Sequence, residues 1–208
     1  MKLVDMTVRE YTDLLASDAS APGGGSTAAL MGAQGAGLTA MVCALTLGRK
    51  KYLAHEALCV KVRAQAEALK DSFLDVLDRD TEAFSGVSAA LMMPKDSDEE
   101  KAARKLAMQE ALKACTLTPM EMIQYAARTL ALTESILGKS NASAVSDLGV
   151  AVLSLKAAIQ GAWLNVLINL GGIEDGAFRE EYRSRGRALL DETLPLADRL
   201  YTQIAGSL

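Results

Sequence analysis

The placement of Asp80 invites chemistry more than that of any other residue in this sequence. It stands in the row Phe73, Leu77, Asp80, Phe84, Val87 and Leu91, which is otherwise wholly apolar. The helical period that turns those side chains inward therefore turns a carboxylate inward with them. Burying a carboxylate without a partner is costly, and it raises the pKa toward the range useful to a general acid or base. The position also suits a structural aspartate satisfied by a helix cap or a buried Lys or Arg, and periodicity alone leaves both readings open. Asp71, Asp75, Asp78 and Glu82 follow a different stripe, which reads as the solvated face of the same helix. Asp78 and Asp80 point about 200° apart on a helix and cannot act together on one substrate.

Pro22-Gly23-Gly24-Gly25-Ser26 precedes a helix start, where free N–H groups and the helix dipole favour an anion or a carbonyl oxygen. Taken alone, the loop favours a plain turn with Ser26 as the cap, and it lacks the Gly-Lys-Ser/Thr ending of a P-loop. Asn165 and Asn169 are one turn apart in a very apolar segment. They share a face on which unpaired amides are expensive, so interhelical hydrogen bonding is the simpler account of them. Asp147 reads equally as a first-turn acid at a helix start. His55 falls on the exposed side of its helix and receives no role. Cys43, Cys59 and Cys115 are odd in number and far apart, with one histidine for company; they fit neither a disulfide framework nor a zinc site.

The elements that must position these residues are helices. Hydrophobic residues make up 50% of the chain but aromatic residues only 4%, and the abundance of Ala and Leu over β-branched residues excludes an all-β fold. Thr7 to Glu10 is a capping box opening a helix to about Ala16. A helix follows Ser26, its small residues Ala29, Gly32, Ala33, Ala36 and Ala40 permitting close approach of a neighbour. A long helix spans about Ala54 to Leu91 and is broken at Met93-Pro94. Ser97 to Glu100 is a second capping box, for a helix ending near Thr116. Thr118-Pro119-Met120-Glu121 has the composition of a new helix start, and that helix stops near Gly138. A polar turn at 139–143 leads to a helix from about Leu148 to Leu170, ended by Gly171-Gly172. The last helix covers about Asp175 to Ile204.

The expectation is a single all-α domain over residues 1–208, a compact bundle of six to seven helices. The segments 26–47 and 148–170 are nearly uncharged and need cover on every side, so one of their faces is expected to be buried in a homodimer. The uncharged stretch from Ala19 to Gly48 is long enough for a bilayer. Its Gly, Ala, Ser and Thr content favours a buried bundle helix instead. The net charge of -4 argues against a nucleic-acid surface. The N-terminus lacks the apolar core of a signal peptide, and reduced thiols in a cytoplasmic protein are expected.

In order along the chain, the residues resemble one family. Pro22-Gly23-Gly24-Gly25-Ser26, Gly48-Arg49-Lys50-Lys51-Tyr52, Asp78-Arg79-Asp80 with Ala83-Phe84, Pro94-Lys95 with Glu99-Glu100-Lys101, Ser146-Asp147, and Asn165 to Leu170 together resemble the formimidoyltetrahydrofolate cyclodeaminase and methenyltetrahydrofolate cyclohydrolase family. Ser140-Asn141 departs from its Gly-Asn pattern. The resemblance implies a homodimer that binds a tetrahydrofolate derivative between helices, with no metal or redox cofactor. It makes Asp80, the second Asp of the Asp-x-Asp motif, the proton acceptor. Gly23, Gly24, Gly25, Ser26, Lys51 and Lys95 become candidates for the folate's carboxylate or pterin carbonyl, and Asp147, Asn165 and Asn169 for binding or orienting the pterin. The activity implied is cyclodeamination of 5-formimidoyltetrahydrofolate, with methenyltetrahydrofolate cyclohydrolase as the alternative; the lack of a transferase segment leans toward the second. A folate-binding helical dimer without activity is a third reading.

Overall fold

The computed structural model describes residues 2–208, which form six α-helices and three short 3-10 turns, with no strand among them. The helices are α1 (Val8–Leu15), α2 (Gly24–Ala44), α3 (Glu56–Met92), α4 (Asp98–Ile136), α5 (Val145–Gly172) and α6 (Gly176–Ala205). Thr7 and Ser97 close the expected capping boxes, and Asp175 caps α6 by accepting from Phe178 N–H. Gly138, just past α4, takes φ +75°, the left-handed conformation that favours glycine at a helix end.

α2, α3, α4 and α5 form a closed ring of four helices in which α2 and α4 each lie against both α3 and α5. α6 packs outside, on α5 and α4, and the 3-10 turn Leu3–Asp5 lies on α3. The small residues of α2 have the predicted purpose. A Cβ on Gly32 would stand 2.3 Å from the Phe73 ring, and one on Gly35 would stand 2.6 Å from Leu155, so α3 and α5 approach α2 closer than any larger residue permits. α2 and the helical stretch 142–172 have the length and composition to cross a membrane, yet here both are central members of the ring. Cover for α2 comes largely from this chain. α5 is covered where it meets α2, α4 and α6, and turns Val150, Leu153, Leu164 and Ile168 outward.

Three expectations are corrected. Ser26 does not cap α2: the helix begins two residues earlier with Gly23 at the cap position, and the Ser26 hydroxyl turns to α3 instead. Thr118-Pro119 starts no helix, because α4 runs unbroken through Pro119. Proline withholds the N–H that would pair with the carbonyl four residues back, but here that carbonyl, on Cys115, accepts from Asn169 Nδ2 of α5 at 2.7 Å. A side chain about fifty residues away thus supplies the missing donor. Asp78 is not solvated: it is only 9% exposed and accepts from the Leu3 backbone N–H at 2.7 Å.

α3 and α4 are long enough to project past the ring as a helical hairpin. Between Thr81 and Ala114 only Ala90 is buried. The hairpin is braced at its base, where Gln109 and Lys113 of α4 bond Gly172 O and Asp175 at the α5–α6 turn.

Candidate functional site

Asp78, Arg79 and Asp80 are consecutive on α3, and rotation of about 100° per residue sends them to three different neighbours. Asp78 holds the N-terminal turn. Arg79 reaches α4, where its guanidinium donates to both carboxylate oxygens of Glu121 at 3.3 and 2.6 Å while also bonding Asp75. Tyr125 donates to the same Glu121 carboxylate. These contacts raise the Arg79 pKa, Glu121 contributing most, and the fork fixes the α3–α4 register from which Asp80 is presented.

Asp80 reaches α2. Its carboxylate lies directly on the first turn of that helix: a Cβ on Gly25 would stand 2.4 Å from Oδ2. The Ser26 hydroxyl donates to Oδ2 at 3.3 Å and also lies 3.3 Å from the Thr81 hydroxyl. The helix N-terminus anticipated as a ligand's anion site is thus occupied by the protein's own carboxylate. Burial raises the Asp80 pKa above the ordinary carboxylate value, and this outweighs the opposing help of the Ser26 hydroxyl, the Thr118 hydroxyl and the Ser26 N–H. Thr118, on α4, is 6% exposed. Its Oγ1 faces Asp80 at a geometry short of a hydrogen bond, and among the described residues it is the one buried side-chain polar atom without a partner.

This carboxylate forms part of the wall of an open cavity of about 340 Å³. Ser20, Ala21, Gly23 to Ser26, Asp80 and Thr81 lie on one side; Phe84, Val87, Leu112 and Cys115 form an apolar flank; Asn165, Ile168 and Asn169 close it from α5. Asn165 Nδ2 donates back to Gly161 O at 2.9 Å, and Asn169 Nδ2 is bound to Cys115 O. The interhelical bond expected for this pair is therefore made by Asn169 alone. Cys115 is a thiol here, its pKa raised to about 11 by burial and then by the charge of Asp80. Cys43, raised to about 12 by burial, faces Cys59 in the core, and all three cysteines are free.

Gly23, Gly24, Gly25, Ser26, Asp80, Asn165 and Asn169 are thus brought together. Lys51, Lys95 and Asp147 are not. Lys51 lies beside Tyr52 on a second cavity, lined also by Ser140, Asn141 and Gln203. Asp147 is in the first turn of α5, about 27 Å along the helix axis from Asn165. Lys95 sits beyond the end of α3, in the exposed loop at the hairpin tip. Each was grouped with the site by motif, and helix length carries each away from it. The sequence reading missed Thr118 and Cys115. The clue was Pro119, an interruption inside an otherwise continuous helical pattern.

A cavity with one perturbed carboxylate, two amides and an apolar flank is equipped for proton transfer on a flat, polar-edged ring system. Comparison with known proteins agrees with this picture. The pattern of the family described as formiminotransferase-cyclodeaminase matches residues 7–188. The methenyltetrahydrofolate cyclohydrolase of Methylorubrum extorquens is 42% identical over 198 residues, covering 95% of each chain. The formimidoyltransferase-cyclodeaminase of Rattus norvegicus is 32% identical over 190 residues, 91% of this chain but 35% of that protein. The crystal structure of formiminotetrahydrofolate cyclodeaminase from Thermotoga maritima superposes with a TM-score of 0.84 at 26% identity, over 100% of this chain and 98% of that one. By its sequence pattern, its relatives and its fold, this chain belongs to the formiminotransferase-cyclodeaminase family.

Proposed function

We propose that the chain is an enzyme of folate one-carbon metabolism that moves protons at the N5,N10-bridging carbon of a tetrahydrofolate, with Asp80 as the acid–base group. The observation that carries this reading is the half-buried Asp80 carboxylate, its pKa raised, on the wall of a cavity open to solvent. Such a group takes and returns protons near neutral pH more readily than an ordinary carboxylate.

In cyclodeamination, the N10 aryl nitrogen of 5-formimidoyltetrahydrofolate attacks the formimidoyl carbon and closes a five-membered ring. Asp80 accepts the proton from that nitrogen and returns one to the departing amine, so that ammonia and 5,10-methenyltetrahydrofolate form. In the cyclohydrolase reaction, water adds to the bridging carbon of 5,10-methenyltetrahydrofolate. Asp80 accepts the water's proton, and the bond to N5 breaks with protonation of that nitrogen, giving 10-formyltetrahydrofolate. Cyclodeamination is the reading from the motifs, supported by the likeness to the Thermotoga cyclodeaminase. The cyclohydrolase is favoured by the 42% identity over 95% of both chains. No metal or redox cofactor enters either step.

About 340 Å³ is at the small end for a ligand site, which suits the pteridine and the reacting carbon, with the aryl-glutamate tail outside. Gly23, Gly24, Ser26, Asn165 and Asn169 would orient the ring system, and Gly25 leaves room for Asp80. The same reading takes the enzyme as a cytoplasmic homodimer. Support comes from α5, where Val150 (52% exposed), Leu153, Leu164 (66%) and Ile168 (75%) form an outward apolar stripe at helical spacing that a second copy would remove from water. Light scattering giving a monomer mass at micromolar concentration would overturn this part.

The enzymatic test incubates purified protein with 5-formimidoyltetrahydrofolate and, separately, 5,10-methenyltetrahydrofolate, following absorbance and ammonia. Ammonia release with gain of the methenyl chromophore identifies the cyclodeaminase. Loss of that chromophore above the spontaneous rate identifies the cyclohydrolase. Saturable folate binding with neither activity leaves the non-catalytic binding protein and rejects the proposal.

A further inference from the structure

The hydrogen bond that Pro119 omits within the continuous helix α4 has a geometric consequence inside the cavity. An alanine at this position would offer its N–H to the Cys115 carbonyl, as helix geometry dictates. Pro119 has none, and Asn169 Nδ2 takes the vacancy at 2.7 Å. A backbone carbonyl only accepts, so the nitrogen of Asn169 must face it and the oxygen must face away. Asn165 obeys the same logic, because its Nδ2 is committed to Gly161 O. Among the described residues neither Oδ1 has a protein partner, and neither is sealed from solvent. Both residues line the cavity. The α5 wall therefore offers two acceptor oxygens, while one of the two N–H donors of each amide is engaged by a backbone carbonyl.

We propose that Pro119 is a positioning residue: by leaving the Cys115 carbonyl free, it anchors the Asn169 amide so that Asn165 and Asn169 present paired acceptor oxygens, selecting a ligand edge that carries N–H donors. Resting on the folate reading, this assigns that wall to the donor edge of the pterin, its 2-amino and ring N–H groups, rather than to the 4-carbonyl or the glutamate carboxylates. Pro119 touches no substrate; it acts through Asn169.

The test compares wild type, Pro119→Ala, Asn169→Ala and the double variant. Pro119→Ala returns an N–H to the Cys115 carbonyl and releases Asn169. KM for the active folate should rise roughly tenfold, the loss expected when one oriented hydrogen bond is lost, while kcat stays within about twofold because Asp80 is untouched. Thermal stability should hold or rise, since alanine suits a helix interior better than proline. The double variant should match Asn169→Ala alone, as expected when one residue acts through the other. Unchanged KM in Pro119→Ala, additive effects in the double variant, or kcat and stability falling together would each overturn the proposal. A second readout does not depend on turnover. With asparagine side chains labelled with nitrogen-15, the Asn169 amide, assigned by its absence in Asn169→Ala, should exchange with solvent slowly in wild type and at least about tenfold faster in Pro119→Ala. Wild type inactive on both folates, with this exchange difference present, rejects the folate reading and keeps the anchor. Equal exchange in the two proteins rejects the anchor whatever the activity.

Discussion

The family-like motifs of this chain fall at two ends of the molecule, and the two ends treat polar atoms in opposite ways. At the end of α5 that faces Lys51, the Asn141 backbone N–H is bound to Thr46 Oγ1, its Nδ2 to Leu45 O, and its Oδ1 accepts from Ser143 N–H. The Tyr52 hydroxyl accepts from Ala142 N–H. Each of these donors and acceptors has a partner, so this loop is locked. At the Asp80 end, among the described residues, Thr118 Oγ1 is buried without a partner, the amide oxygens of Asn165 and Asn169 have no protein partner, and burial raises the pKa of the Asp80 carboxylate. Buried polar groups left short of partners are expensive. Their concentration beside one cavity marks where the protein trades stability for chemistry, whereas the far end spends its polar atoms on holding the chain together.

That contrast can be broken in four ways. The largest effect belongs to Asp80→Asn, which should cut kcat by roughly a hundred- to ten-thousand-fold. Because the folded pKa of Asp80 is raised, its favourable contribution is complete below the unfolded carboxylate pKa and is lost as pH rises through the folded value. Asp80→Asn should therefore melt above wild type at neutral pH, with the gap closing in acid. A variant that melts lower at pH 7 would make Asp80 structural. By the same sign, wild-type kcat/KM should fall as acid protonates Asp80, with a midpoint above the ordinary carboxylate range. Gly25→Ala comes next: its Cβ cannot share space with the Asp80 carboxylate, and displacing the base should lower kcat about ten- to hundredfold. Retained activity would show that Asp80 works from another position.

At the far end, Thr46→Val should leave the Asn141 N–H unpaired and cost about 1–3 kcal/mol in chemical denaturation, with kcat per folded molecule unchanged. Lost activity at wild-type stability would place this loop in catalysis and end the contrast. The smallest effects are expected from Lys51→Ala and Lys95→Ala, each shifting KM by less than about threefold, as befits exposed charges away from the cavity. A tenfold rise for Lys51→Ala would mean that a partner subunit carries this lysine to the site.

How much of this was legible in sequence depended on whether the deciding contact was local. The helix ends at Thr7, Ser97 and Gly138 were readable because caps are written in adjacent residues. Asp80 was readable because one period of α3 placed a charge among apolar residues. Asp78 was misread because its partner is the backbone of Leu3, 75 residues away, and no pattern on α3 announces that. Pro119 was misread for the same reason: a stop signal became harmless once Asn169 supplied a donor from α5. The triple-glycine loop lines the same cavity as Asp80, but Gly25 and Ser26 lie against the Asp80 carboxylate, an arrangement that exists only after α2 and α3 meet.

The projecting hairpin formed by the second half of α3 and the first half of α4 carries Phe84, Val87 and Leu112 into the cavity wall while burying almost nothing of its own. A segment so poor in buried surface frays before the ring does. The cavity's apolar flank should therefore be among the first parts of the fold to open and to be cut by a protease. A ligand seated against Phe84 and Val87 would tie that flank to the rigid α5 wall, so occupancy of the cavity should be readable as delayed cleavage near Pro94, many residues from the atoms it touches.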